Sequence, residues 1–218
     1  MKTGLLATAA LLSTLPASGD AIQPTPEQVA VLSTTDAPPA RAQIDLAFGP
    51  DSQNAVLAIA RGPSGDVGLQ IRAIRALPQY CPQDPESPKQ PPSCADAPVH
   101  QALADLVAGF RAQLASAALS APDLLRLRAA MEALGATHSG LASDVDLLTD
   151  PALMRHPSRD VQVTAVHAIR GACSPNLCPP DACTQAAGAV RALHSGDQSQ
   201  VDFAVNAALQ ELAKCSQP

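Results

Sequence analysis

One pattern of apolar and polar positions occurs four times along the chain. It begins with Asp or Ser, has an apolar residue three positions later, and continues with two alanines and a Leu or Ile at helical spacing. The clearest copies are DVGLQIRAIRALPQYC (66–81) and SRDVQVTAVHAIRGAC (158–173), which both end in cysteine. Asp and Ser are favoured helix N-caps, and residues three or four apart lie on one helix face. Each copy therefore predicts an amphipathic helix.

The two weaker copies begin at Asp123 and Asp197. They carry Arg126 and Gln200 where the clear copies have an apolar residue. In the last copy a frame that begins one residue later fits almost as well, with Val201 at the apolar position. Both copies keep the alanine spacing, so they predict helices of the same kind.

The spacing of the copies indicates repeated helical hairpins. Their starts lie 57, 35 and 39 residues apart, and the longest interval falls to 41 without the Pro-rich polar stretch 81–96. A period of this length is typical of stacked helical hairpins. A further helical segment precedes each copy, at 52–61, 98–114, 139–154 and 180–194, with Pro151 expected to break or kink the third. Residues 52–215 therefore predict an all-α fold, an α-solenoid of about four hairpins.

The second-helix pattern resembles that of HEAT repeats, particularly their short bacterial form with Asp-x-x-Val-Arg-x-x-Ala-x-x-Ala-Leu. The resemblance covers roughly residues 52–215, and Gln70 and Gln162 stand where the family has Arg. It implies a curved stack whose second helices line a concave surface, the usual binding face of such proteins. An irregular helical bundle is the alternative fold.

The N-terminus predicts export. Residues 1–19 have Lys2, the apolar stretch GLLATAALLSTL and the small residues PASG, which together are typical of a signal peptide cleaved near Gly19 or Ala21. A short buried helix is the alternative, and the stretch is too short to cross a bilayer, which needs about 20 residues. Residues 20–51 are expected to be an N-terminal cap or a partly disordered segment, with TPEQVAVLST as a candidate capping helix. The mature protein should be extracytoplasmic, either periplasmic or secreted.

The composition limits which residues can form the core and which kinds of partner are favoured. With three Phe, one Tyr and no Trp, the core must consist of aliphatic residues and alanine, which favours closely packed helices. The net charge is −6 for the whole chain, and loss of Lys2 makes it more negative. Such a balance opposes nucleic acids and anionic membranes as partners.

Six cysteines in an exported chain predict three disulfides; they are Cys81, Cys94, Cys173, Cys178, Cys183 and Cys215. The hairpin layout favours Cys81–Cys94 and Cys183–Cys215, which leaves Cys173–Cys178. The rival set joins Cys173 to Cys215 and Cys178 to Cys183. A zinc site is the functional alternative, but the spacing is uncommon for zinc and an oxidising compartment disfavours free thiolates. We therefore predict disulfides and neither a metal nor a cofactor.

No catalytic motif is present in the sequence, and we predict no catalytic residue. His100, His138, His156 and His194 fall at predicted helix ends or turns, where a solvated polar role is expected. The acidic stretch DVDLLTD (144–150) lacks the glycine and terminal Glu of an EF-hand loop. It is interpreted as a solvated helix face.

The position two residues after the first alanine of each copy carries Arg75, Glu132, His167 and Asn206. If the hairpins stack in register, these residues form one polar row along the second helices, and Arg72 widens it. We call these five residues the second-helix row and predict that they bind a protein partner.

The sequence therefore predicts an exported HEAT-like protein-binding or scaffold module with no transmembrane segment. The alternatives are an enzyme or enzyme subunit with an unrecognised site, and a purely structural envelope protein.

Overall fold

The computed structural model describes residues 23–33, 37–62, 66–82, 93–95, 97–173, 177–197 and 199–215. These residues form eleven α-helices and no strand, as the all-α prediction requires. The helices are α1 (Pro26–Leu32), α2 (Arg41–Phe48), α3 (Ser52–Arg61), α4 (Val67–Ala76), α5 (Pro98–Leu114), α6 (Ala121–Gly135), α7 (Ala142–Leu148), α8 (Pro151–Met154), α9 (Arg159–Ala172), α10 (Pro180–Arg191) and α11 (Gln200–Cys215). A short 3₁₀ helix, Leu77–Tyr80, follows α4. The predicted signal peptide lies outside the described residues.

The helices pack in two layers. The second helices α4, α6, α9 and α11 contact one another in chain order, and α3, α5, α7 and α10 form the other layer in the same order. Each helix of this other layer also packs against the second helix that follows it, and α8 joins α7 on α9. The predicted break at Pro151 is confirmed, because this residue opens α8 and the Asp150 carboxylate caps it by accepting the Ala152 N–H at 2.8 Å.

The N-terminal helix pair packs against the first hairpin. α1 contacts α4, whereas α2 contacts α3, so the pair spans both layers. A capping box starts α1, in which the Thr25 hydroxyl accepts the Gln28 N–H and the Gln28 amide oxygen accepts the Thr25 N–H. Leu32 and Ile44 are both buried, so the pair covers apolar surface of its own and of its neighbours.

The starts of the second helices agree only in part with the sequence pattern. Asp66 precedes α4, and its carboxylate accepts the Leu69 N–H at 2.9 Å. Ser158 precedes α9, although its side chain makes no capping hydrogen bond. Both residues occupy the predicted position.

The predicted starts at Asp123 and Asp197 are wrong. α6 begins earlier, because the Ser120 hydroxyl is the N-cap and accepts the Asp123 N–H at 3.3 Å. α11 begins later, because the Ser199 hydroxyl accepts the Asp202 N–H at 3.3 Å. A nearby Ser replaces the expected Asp in both cases, and both residue types are good N-caps.

The two glutamines that stand where the HEAT-repeat pattern has Arg have a structural role. The Gln70 side-chain N–H donates to the Gly62 carbonyl, and Gln162 Nε2 donates to the His156 carbonyl at 2.9 Å. Each bond ties the second helix to the turn that precedes it. Gln70 is buried, so it needs such a partner.

The core consists of aliphatic residues and alanine, as the composition predicts. The first alanine of every pattern copy is buried, which lets the second helices approach one another closely. The backbones of α6 and α9 approach closely, since a Cβ added to Gly135 would lie 2.6 Å from the Ala168 Cα. The largest fully buried side chains are Leu32, Ile44, Ile74, Leu77, Leu103, Leu127, Met131, Leu134, Leu148, Leu153, Ile169 and Leu212.

Candidate functional site

Two members of the second-helix row form an ion pair between α4 and α6. Arg75 donates to Glu132 Oε2 from Nε at 2.9 Å and from Nη2 at 2.7 Å. The side chains are 49% and 37% exposed, so the pair lies at the surface. The prediction that these positions align on neighbouring helices therefore holds for this pair.

His167 is the member of the second-helix row on α9, and the charge of Glu132 affects its pKa. Burial and the neighbouring Arg170 guanidinium lower the pKa of His167 below its ordinary value, while the Glu132 carboxylate opposes this. His167 is still partly exposed. The uncharged imidazole, which can donate and accept hydrogen bonds, is thus favoured on this face.

Arg72 lies one turn before Arg75, is exposed, and donates from Nη1 to the Ser33 hydroxyl at 3.2 Å. It makes no ion pair with a carboxylate in the described part of the chain. A guanidinium has five N–H donors, so a single bond leaves most of them for solvent or a ligand. Arg72 is therefore the row's available cation.

Asn206 is exposed on α11, but no hydrogen bond joins it to His167 in the described residues. It lines a separate cavity of about 260 Å³ beside the α10–α11 turn, together with His194 and Phe203. The frame that begins one residue later, with Val201 at its apolar position, fits the burial better, since Val201, Val205 and Ala208 are all buried. His167 thus lies near Glu132 of the ion pair, whereas Asn206 borders another cavity.

A cleft of about 500 Å³ opens beside the charged end of the row. Arg72, Arg75 and Glu132 line it. The rest of the lining comes from the end of α1, residues 37–39, the 3₁₀ helix and the end of α6; it includes the apolar residues Leu32, Pro38, Pro39 and Pro78. The cleft combines apolar walls with a few convergent polar groups, as ligand-binding clefts do.

A buried polar network joins α5 and α7, and sequence reasoning missed it. His100 Nε2 lies 2.8 Å from Asp144 Oδ2, and the Ser139 hydroxyl donates to the same oxygen. His100 and Asp144 are 5% and 1% exposed. The expectations that His100 is solvated and that 144–150 is a solvated face are therefore wrong at these two positions. Both residues lie at helical spacing from apolar residues, as His100 does from Leu103 three positions later. This spacing could have indicated that they are buried.

This network has the residue types of a hydrolytic triad but not its connectivity. A serine nucleophile must donate to the histidine that acts as its base. Here Ser139 and His100 both contact the carboxylate of Asp144, which therefore lies between them. The arrangement holds α5, α7 and the preceding turn together and does not activate the serine.

A second, more polar cavity of about 550 Å³ lies at the N-terminal helix pair. Its lining includes Arg41, Asp45, Ser52 and Tyr80. The Arg41 guanidinium lies over the Tyr80 ring, 5.4 Å from its centre, and the Ser52 hydroxyl donates to Asp45 at 2.5 Å. Burial raises the pKa of the Tyr80 phenol; Ser52 opposes this, Asp45 adds to it and Arg41 opposes it. No pattern in the sequence indicates this cavity.

The six cysteines lie in three pairs at disulfide distance. The pairs are Cys81–Cys94, Cys173–Cys178 and Cys183–Cys215, with Cα–Cα distances of 4.8, 5.0 and 6.2 Å. These are the favoured pairs, and the rival set is not formed. The Cys94 N–H also donates to the Thr137 carbonyl at 3.2 Å, which places the end of the 81–96 insertion on the turn after α6.

Comparisons of the chain with known protein families, with curated proteins and with solved structures found no match. No helix of the described residues is both long enough and apolar enough to cross a membrane.

Proposed function

We propose that this chain is an exported HEAT-like α-solenoid that binds a protein partner through its second helices. The packing of α4, α6, α9 and α11 in chain order, with their partner helices in a second layer, supports a stack of hairpins. Cysteine pairs at disulfide distance are compatible with an extracytoplasmic location.

The cleft beside Arg72 is the observation that carries the proposal. It joins a proline-lined wall to the charged end of the second-helix row, so one surface offers both apolar contact and a directed charge. Proline walls are already rigid, and binding to them costs little conformational entropy. An extended segment of a partner protein can enter such a cleft, whereas a flat partner surface cannot.

The charges indicate what this segment carries. Glu132 already neutralises Arg75, whereas Arg72 has only the Ser33 hydroxyl as a described partner. Arg72 can therefore bind a carboxylate through two parallel N–H···O hydrogen bonds, the bidentate geometry that a guanidinium favours. We infer an acidic side chain or C-terminal carboxylate on the partner, next to apolar residues that contact the prolines.

Charge reversal at Arg72 tests this function. The wild-type protein and Arg72→Glu are used as baits on envelope and secreted fractions of the native source, and captured proteins are compared by quantitative mass spectrometry. We expect the variant to lose a partner that wild type captures, and the complex to weaken as salt rises, because the contact is ionic. Arg191→Glu is the matched control, since Arg191 is an exposed arginine on α10 in the other layer.

Arg75 requires a different design, because its reversal alone would place two carboxylates together. Arg75→Glu combined with Glu132→Arg preserves the pair and exchanges the two charges. Thermal melts should match wild type for all these variants, since surface substitutions shift stability by about 0.5 kcal/mol. Equal capture by wild type and Arg72→Glu, with equal melting temperatures, would rule out this cleft as the binding site.

A further inference from the structure

Sulfurs from two cysteine pairs lie together near the start of α10. The Sγ atoms of Cys173, Cys178 and Cys183 all lie within 4.8 Å of one another, and all three residues are buried. We call these three residues the sulfur triplet. Cys173 and Cys178 are paired with each other, whereas Cys183 is paired with Cys215, which is partly exposed and is not a member of the triplet. One sulfur of the Cys183–Cys215 pair therefore lies next to both sulfurs of the other pair.

The packing of the helices positions the sulfur triplet. Cys173 directly follows α9, and Cys183 is the fourth residue of α10. Cys183 Sγ lies 3.6 Å from the Cys178 carbonyl oxygen, so the segment before α10 contacts this sulfur. α11 packs against both α9 and α10, and Cys215 is its last residue.

The distances within the triplet suit thiol–disulfide exchange. In this reaction a thiolate attacks one sulfur of a disulfide and releases the other sulfur as a thiolate. Reacting atoms must approach to about 3–3.5 Å, so sulfurs within 4.8 Å of one another need to close by at most about 2 Å. Once the bond to Cys215 is broken, the Cys183 side chain can rotate between staggered rotamers and close this gap.

The position of Cys183 in α10 also suits it to this reaction. It lies near the N-terminus of a helix of 12 residues, where the helix dipole stabilises a thiolate and makes it a better leaving group. Asp181 lies two residues earlier but is exposed, so solvent screens its opposing charge. Attack of an external thiol on Cys215 therefore releases Cys183 as the thiolate.

We propose that the sulfur triplet is a thiol–disulfide relay, which carries reduction from the partly exposed Cys215 to the buried Cys173. In the first step an external dithiol attacks Cys215 Sγ, the Cys183–Cys215 bond breaks, and Cys183 leaves as a thiolate. The second thiol of the dithiol then displaces Cys215, which takes up a proton. The dithiol is thereby oxidised to a disulfide, and the chain gains two electrons.

In the second step the Cys183 thiolate attacks Cys178 Sγ. The Cys178–Cys183 bond forms, the Cys173–Cys178 bond breaks, and Cys173 leaves as a thiolate that takes up a proton. No electrons enter or leave the chain in this step. The new bond belongs to the rival set of cysteine pairs. This inference does not depend on the proposed binding function.

Variants with one unpaired cysteine test the second step. Cys215→Ser leaves the Cys183 thiol beside the Cys173–Cys178 disulfide, and exchange should move part of the free thiol to Cys173. Cys173→Ser starts from the other disulfide, and exchange should move part of the free thiol from Cys178 to Cys215. Cys183→Ser is the matched control, because its unpaired Cys215 lies outside the triplet and should remain the free thiol.

Two labels applied in turn locate the free thiol. Free thiols are first labelled with N-ethylmaleimide in denaturant at mildly acidic pH, where few thiols are ionised and exchange is slow. The disulfides are then reduced and labelled with iodoacetamide. All three cysteines of the triplet lie in the tryptic peptide 171–191, because no Lys or Arg lies between Arg170 and Arg191. Fragmentation of this peptide in the mass spectrometer shows which cysteine carries which label.

Exchange predicts a different distribution of the first label in each variant. In Cys215→Ser we expect the first label on Cys173 to exceed that in the Cys183→Ser control by at least about tenfold, because a thiol held beside a disulfide reacts as if at high concentration. The relay is overturned if the first label stays on Cys183 in Cys215→Ser and on Cys178 in Cys173→Ser. Exchange of the same extent in the control would also overturn it.

The rate of reduction tests the relay in the wild-type chain. With dithiothreitol as the dithiol, the double variant Cys183→Ser, Cys215→Ser should label Cys173 at least about tenfold more slowly than wild type, because both sulfurs of its remaining pair are buried. The double variant Cys81→Ser, Cys94→Ser is the control and should react like wild type, since that pair lies outside the triplet.

Circular dichroism shows whether the variants with one unpaired cysteine keep their helices. If they do not, the rate measurement decides the question. An equal or faster rate in the variant that lacks Cys183 and Cys215 would overturn the proposal.

Discussion

His100 Nε2 lies 2.8 Å from Asp144 Oδ2, and both side chains are almost fully buried. The residues are 44 positions apart, in the first turns of α5 and α7. Ser139, from the turn before α7, donates to the same carboxylate oxygen. Two helices of one layer are therefore joined inside the protein by polar contacts and not only by apolar packing.

Removal of this carboxylate should destabilise the protein strongly. Asp144→Ala leaves the buried hydroxyl of Ser139 and the His100 ring without their shared acceptor, and each orphaned buried group costs about 1–3 kcal/mol. We expect the free energy of unfolding, measured with urea, to fall by at least about 2 kcal/mol. Asp146→Ala on the same helix is the control: this exposed carboxylate bonds Gln185 Nε2 at 2.7 Å, and its loss should cost about 1 kcal/mol or less. Equal losses would show that Asp144 is not buried.

Alanine should be poorly tolerated at the two glycines between α6 and α9. A Cβ at Gly135 would lie 2.7 Å from the Ala168 carbonyl oxygen, and one at Gly171 would lie 2.6 Å from the Gly135 oxygen. These are backbone atoms, so no side chain can rotate away to make room. Gly135→Ala and Gly171→Ala should each lower the free energy of unfolding by about 1–3 kcal/mol.

Two other helical glycines provide controls with the opposite expected sign. A Cβ at Gly109 in α5, or at Gly188 in α10, would meet nothing within 4 Å. Alanine there should stabilise the protein by about 0.5–1 kcal/mol, because glycine is a weak helix former. If Gly135→Ala also stabilises, the backbones of α6 and α9 do not approach as closely as described.

The sequence correctly predicts structural features that depend on a regular spacing of residues. Helical period placed Ala73 and Ala165 in the core, and both are fully buried. Hairpin spacing also favoured Cys183–Cys215, because the ends of antiparallel helices meet. The alignment of Arg75 with Glu132 followed from the same repeat.

Features that depend on a single distant partner were not predictable in this way. Nothing near His100 in the chain indicates that Asp144 will face it, and from sequence the acidic stretch 144–150 is interpreted as a solvated helix face. The helix start at Ser120 was missed because Asp123 is an equally good N-cap by residue type. Only the packing of neighbouring elements decides between such candidates.

The charge of His167 should depend on its two neighbours. Its pKa is lowered from 6.5 by burial and Arg170, and Glu132 opposes the shift. A proton NMR titration should therefore give a value below 6.5 in wild type. Glu132→Gln should lower it further, whereas Arg170→Gln should raise it. A wild-type value above 6.5 would contradict the described surroundings.

The same shift fixes the sign of a pH effect on stability. Because the folded protein binds the His167 proton more weakly than the unfolded chain, protonation favours unfolding. The contribution of this group is fully present above pH 6.5 and declines as pH falls from there through the lower folded value. His167→Gln should remove this part of the pH dependence, as measured by urea unfolding at a series of pH values.

The ion pair between Arg75 and Glu132 should contribute modestly to the stability of the helix layer. Both groups are partly exposed, and such pairs typically contribute about 0.2–1 kcal/mol. We expect a double-mutant cycle of Arg75→Ala and Glu132→Ala to give a coupling energy in this range, and a smaller one at high salt. The same cycle between Arg72 and Glu132 should give almost none, since these side chains make no ion pair. A coupling of zero for Arg75 would mean that its guanidinium is as available to a partner as that of Arg72, and Arg75→Glu should then reduce partner capture as strongly as Arg72→Glu.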